Sequence, residues 1–136
     1  MTKTRLSVAF LAVSVLLSAC GARPPASGTP GAEDHLLSPA ELEQMLPNRD
    51  FFFVNTHIPY EGEIEQTDAF IPYDQIEENL AMFPADRDAR IVLYCRSGRM
   101  SAIAADVLEN LGYTNVWDLG GGMIAWEEAG LPLNRR

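Results

Sequence analysis

Cysteine is scarce in this chain: Cys20 and Cys95 are the whole complement of 136 residues, and histidine is limited to His35 and His57. One free thiol and two histidines at these spacings cannot assemble a zinc site, and no metal or other cofactor is expected. Lysine is scarcer still, with Lys3 the single example. Ten basic residues stand against 19 acidic ones, for a formal net charge of -9 at pH 7. A chain so acidic is not expected to bind nucleic acid; its charge serves solubility, leaving at most a local positive spot. Long apolar runs are missing too. The stretch from Leu6 to Leu17 falls short of the roughly 20 residues that a membrane-spanning helix needs. What remains is 47% hydrophobic and 21% charged, the balance of a globular chain, long enough for one domain with an ordinary core.

The short apolar run has its own meaning. Lys3 and Arg5 form a positive region before it, and Leu17-Ser18-Ala19-Cys20 closes it. Residues 1–19 read as a signal peptide. The closing tetrad resembles a bacterial lipobox, in which cleavage before Cys20 leaves that residue lipidated at the new N-terminus. An ordinary signal peptide cut after Ala19, or an uncleaved anchor, is the alternative. Several acyl chains on one cysteine suffice for stable anchoring. Residues 20–34 are rich in Gly, Ala, Pro, Ser and Thr without hydrophobic periodicity, as expected of the lipidated cysteine followed by a flexible tether. The expected protein is therefore anchored to a membrane of a bacterial cell envelope, with its domain on the periplasmic or extracellular side. With Cys20 acylated, Cys95 is the one free thiol left, and an unpaired cysteine in an exported protein is a candidate reactive group.

The domain is expected over 35–136. Ser38-Pro39-Ala40-Glu41 is a capping box with proline at the first helical position, predicting a helix to about Leu46. Phe51 to Asn55 reads as a buried strand. An acidic loop, Glu61 to Asp68, follows, and a short helix is predicted over Tyr73 to Ala81. Ile91-Val92-Leu93-Tyr94 suits a central strand buried on both sides. Ala102 to Ala105, Val107, Leu108 and Leu111 give the apolar face of a helix that Gly112 ends. Val116 to Asp118 is a last short strand, and Gly120-Gly121-Gly122 leads into a helix from Met123 to Ala129, closed by Gly130 and Pro132. Strands alternating with helices argue a small α/β domain, a parallel sheet with helices on both faces.

Between the central strand and its helix sits Cys95-Arg96-Ser97-Gly98-Arg99-Met100. A strand, a tight loop opening on cysteine, then a helix: this order points unpaired backbone amides and the positive helix end at the thiol. Arg96 and Arg99 add charge, and Gly98 relaxes the turn. Cys95 is expected to be largely thiolate near neutral pH.

These residues carry a family resemblance. Tyr94 to Ser101 resembles the active-site loop of rhodanese-like sulfurtransferase domains. Leu119 to Leu133, with its Gly-Gly, Trp126 and Gly-x-Pro, resembles their C-terminal signature, and Phe53 to Tyr73 resembles the N-terminal one more loosely. The resemblance implies a rhodanese-like α/β fold. It also implies a function: Cys95 takes a sulfane sulfur from a donor such as thiosulfate, carries it as a persulfide, and passes it to a thiophilic acceptor. The implied partners are a small sulfur-containing anion or a protein persulfide or thiol. The loop Arg96, Ser97, Gly98, Arg99 and Met100 would bind substrate and persulfide. Phosphatases with an amide-cradled thiolate carry an arginine six positions after the cysteine, where this chain has Ser101, so phosphate chemistry is disfavoured. The chain departs from the family where many relatives have Asp-x-Arg and here Asn55-Thr56-His57 stands, and where Gly62-Glu63-Ile64 replaces Gly-His-Ile. His57 is a candidate for an orienting role behind the site. A second function stays open from the sequence: a persulfide relay or protein-binding module that does not turn over small molecules.

Overall fold

The computed structural model describes residues 35–135. The expected signal peptide, Cys20 and the expected tether lie outside the described residues.

Five strands form one parallel sheet in the order β1-β5-β4-β2-β3. In chain order these are β1 (Leu36–Leu37), β2 (Phe52–Asn55), β3 (Ala69–Phe70), β4 (Ile91–Tyr94) and β5 (Val116–Leu119). The α-helices are α1 (Pro39–Met45), α2 (Arg99–Asn110) and α3 (Gly122–Glu128). The apolar run Ile91–Tyr94 does take the central position, and all four of its residues are buried. Its side chains alternate between two cores. Val92 and Tyr94 pack with Leu42, Phe53, Leu119, Met123 and Trp126 on the side of α1 and α3. Ile91 and Leu93 pack with Val54, Ala104, Leu108 and Val116 on the side of α2. Two buried faces account for the lack of polar alternation in this strand.

Helix α1 starts where the capping box placed it: the Ser38 hydroxyl accepts from the Glu41 amide at 3.3 Å, and Glu41 Oε2 accepts from the Ser38 amide at 2.8 Å. A tight turn of 3-10 helix, Leu46–Asn48, continues it. The helix predicted over Tyr73 to Ala81 does not form. The segment is a series of turns ending in a 3-10 turn at Leu80–Met82. So short a segment does not offset helix nucleation unless a face is buried, and between Tyr73 and Ala81 Ile76 is the one buried side chain. The Asn79 backbone amide makes one helical bond, to the Gln75 carbonyl at 3.1 Å, and the Asn79 side-chain amide donates to the same carbonyl at 2.8 Å. β1 and β3 are pairs of residues at the sheet edges, too short to show any period.

Parallel strands bring all their carboxyl ends to one edge of the sheet, where α/β domains place their ligands. Cys95 follows β4 at that edge.

Candidate active site

The loop is built on the end of a rigid strand and closed by the start of a helix. Cys95 itself is 1% exposed, while Arg96, Ser97 and Arg99 reach solvent and Gly98 and Met100 are half-buried. Gly98 caps α2 at φ 91°, a left-handed conformation that a side chain would strain. That turn carries the Gly98 amide to 3.1 Å from Cys95 Sγ, where its N–H donates to the sulfur. The expected amide at the thiol is therefore present and comes from a named residue. A second donor is the Ser101 hydroxyl, wholly buried, at 3.5 Å from Sγ.

The loop is fastened from behind by α3. The Met123 and Ile124 amides donate to the carbonyls of Cys95 (2.9 Å) and Arg96 (3.0 Å). This crossing requires Gly122: a Cβ there would overlap the Cys95 carbonyl, and its φ is +57°. The glycine run in the C-terminal stretch thus serves close approach of two backbones.

The two arginines part company. Arg96 is paired with Glu61, and that guanidinium holds the Glu61 carboxyl below the usual carboxylate range. Arg99 is exposed and makes no hydrogen bond or ion pair among the described residues. His57 is buried, with Nε2 at 3.3 Å from Glu61 Oε2, near enough to pair with it when protonated but out of line for a hydrogen bond. The donors at the sulfur are Gly98 and Ser101, and His57 is not one of them. The structure thus brings His57 to the loop through Glu61 and Arg96. Its backbone is tied down by Asn55, whose side chain accepts from the His57 amide at 2.9 Å and donates to the Gly62 carbonyl at 2.9 Å. The residues that depart from the family pattern are therefore the ones that shape the wall of the site. Beside this wall opens a pocket of about 320 Å³, bounded by the pairs Arg96–Glu61 and Arg135–Glu127 over Met123 and Leu133.

Sequence reasoning missed two residues here. Glu61 was legible only as part of an acidic loop. Asp118, on β5, lies beside Ser101, and burial raises its carboxyl to about 6 against opposing hydrogen bonds from Ser101 and the Leu119 amide. The available signal was parity: Asp118 lies two residues from Val116 in the strand and so shares its face, the Val116 side being core.

Comparison with known proteins agrees with this geometry. The sequence model of the family described as Rhodanese-like domain matches residues 38–129. A sulfurtransferase of Allochromatium vinosum is 37% identical over 95 residues, covering 67% of this chain and 85% of its own. A tRNA uridine(34) hydroxylase of Escherichia coli is 32% identical over 107 residues, but this match covers 71% of the present chain and only 31% of the hydroxylase. Among solved structures, a rhodanese-related protein from Thermoplasma volcanium matches with a TM-score of 0.62 and 26% identity, over 73% of this chain and 96% of that one.

Proposed function

The chain belongs to the rhodanese-like domain family, and on that premise we propose that it is an exported, membrane-anchored sulfurtransferase working through a Cys95 persulfide. The observation that carries the reading is Cys95 Sγ at the end of the central strand, held by the Gly98 amide at 3.1 Å. Cys95 Sγ, on giving up its proton, attacks the outer sulfur of a donor such as thiosulfate. A new S–S bond forms on Cys95, the old S–S bond breaks, and its electron pair leaves with sulfite. A thiophilic acceptor (cyanide, a small thiol or a protein thiol) then attacks the outer persulfide sulfur and restores Cys95. This is nucleophilic catalysis in two half-reactions and predicts ping-pong kinetics. The Gly98 amide is placed to hold the persulfide charge. Arg99, with no partner among the described residues, is the cation available to an anionic donor, whereas Arg96 is already taken by Glu61.

That pairing also favours a second reading. A loop with one arginine neutralised and the sulfur buried suits a relay that takes its sulfur from a protein partner better than it suits efficient capture of a free anion. Thiosulfate:cyanide sulfur transfer by the purified chain, beside Cys95→Ser, tests both. Activity lost in the variant supports the sulfurtransferase. An inactive wild type that is folded and reduced removes thiosulfate as donor and leaves the relay.

A further inference from the structure

On the side of the loop away from Arg96 lies a group that the sulfur chemistry above does not use. Asp118 is in register with Leu93, two residues before Cys95. By alternation its side chain shares the α2 side of the sheet with Val116, opposite Trp117 and Leu119. One of its carboxylate oxygens, Oδ1, is buried without a hydrogen-bond partner. The Ser101 hydroxyl connects it to the sulfur. That hydroxyl has one proton to give and three acceptors around it: the Gly98 carbonyl at 3.1 Å, Cys95 Sγ at 3.5 Å, and the Asp118 carboxylate. The surroundings hold little else that titrates. On β1 the paired residue is Leu36, and His35 before it stacks on Trp117, on the other side of β5. On α2 the charged residues Arg99, Asp106 and Glu109 are exposed. Cys95 is thus the titratable group that shares a buried hydroxyl with Asp118.

Two negative charges so close in a buried place oppose one another. A neutral thiol beside an ionised Asp118 is acceptable, and so is an anionic group on sulfur beside a neutral carboxylic acid. A persulfide is a stronger acid than the thiol it comes from, so loading with sulfur drives the site from the first state to the second. We propose that Asp118 keeps the thiol proton when Cys95 is loaded, acting through Ser101 as a positioning residue for the persulfide. The step balances without exchange with solvent. Cys95–SH, ionised Asp118 and thiosulfate give the Cys95 persulfide anion, neutral Asp118 and sulfite. The S–H bond breaks and an O–H bond forms on Asp118, with Ser101 passing one proton on as it receives another. Neutral Asp118 then donates to Ser101 Oγ, which frees the Ser101 hydrogen for the persulfide, and the site carries one negative charge before and after.

The inference rests on Cys95 being the sulfur carrier, and the test separates the two claims. The full chain is loaded with thiosulfate in weak buffer at pH 7 with an indicator dye, as wild type, Asp118→Asn and Cys95→Ser. Peptide mass spectrometry counts the sulfur on Cys95. Asp118→Asn should give up about one proton more per sulfur loaded than wild type, the thiolate present in each protein before loading being read from its ultraviolet absorbance and added to the protons released, with the sulfite formed contributing equally to both. An equal total with Cys95 loaded in both overturns the role of Asp118. No added sulfur on Cys95 in wild type overturns the parent reading instead. Because the variant could fold poorly, infrared difference spectra of the wild type give a second readout. Loading should produce a protonated-carboxyl band at pH 7, and its absence on a loaded protein overturns the proposal.

Discussion

Two aspartates on opposite sides of the central strand β4 show how differently one small domain treats the same side chain. Asp68 sits before the edge strand β3. Burial opposes its ionisation, but Arg49 meets both of its oxygens at 2.7 Å and the Phe53 amide adds a third bond at 2.9 Å, so its carboxyl lies below the ordinary range. Asp118, on β5, has a serine and one backbone amide, leaves an oxygen without a partner, and is raised to about 6. The first is satisfied and belongs to the scaffold. The second is left in want of a proton beside Cys95, and groups kept in that condition concentrate at functional sites.

Replacing each aspartate by its amide breaks the comparison in opposite directions. Asp118→Asn has the larger effect. A carboxyl whose pKa is higher in the folded than in the unfolded state binds more protons when folded, so its contribution falls as pH rises from about 4 to about 6 and stays unfavourable above. The amide removes that penalty. Thermal unfolding at pH 7 should show the variant more stable by up to ~3 kcal/mol, with the gain shrinking toward zero near pH 4. A stabilised protein with impaired sulfur handling would be the signature of a residue retained for function at a cost in stability. A destabilised variant would make Asp118 a structural residue.

Asp68→Asn should do the reverse. It removes the charge that Arg49 holds, at a loss of about 1–2 kcal/mol near neutrality, or a Tm lower by roughly 4–16 °C. The folded pKa of Asp68 is depressed, so its stabilisation is full above the unfolded value of about 4 and is lost as pH falls below that. The wild type should therefore lose stability below about pH 4 through this pair, and the variant should lack that component. Sulfur transfer per folded molecule should not change. The two aspartates act in adjoining pH windows, which separate melting curves between pH 3 and 7 can resolve.

Asp68 and Asp118 also mark how far the sequence could be read. What is consecutive in the chain was legible: the buried run Ile91–Tyr94, the loop that starts at Cys95, the Ser38–Glu41 box, and the glycines before α3. Their local chemistry decides their structure, so no knowledge of distant residues is required. The Cys95–Asp118 pair was not legible, because the register of β4 with β5 brings it together. The same holds for Arg96 and Arg99. They are equivalent in the sequence and become different only when the loop through Asn55, His57 and Gly62 sets Glu61 beside one of them. The segment 73–81 failed for another reason. Its composition allowed a helix, but the fold buries a single side chain there and leaves the backbone in separate turns.

The smallest expected effect lies in that pair of arginines, which carries the contrast between satisfied and unsatisfied charge to the mouth of the site. Arg99→Ala removes the cation left unpaired among the described residues, and the KM for thiosulfate should rise about tenfold with kcat little changed, as for a group that binds the donor equally in ground and transition states. Arg96→Ala alone would leave the Glu61 carboxylate without its guanidinium beside the loop, so its effect would mix a lost cation with an uncompensated anion. The cleaner variant is Arg96→Ala with Glu61→Gln, which removes both charges of the pair and should stay within about twofold of wild type. Repeating both measurements at raised salt adds the deciding control. Screening shrinks the effect of an exposed cation such as Arg99 and leaves the neutral double variant where it was. If the double variant instead loses as much as Arg99→Ala, the Glu61 pairing does not hold in solution, and Arg96 reaches the donor as well.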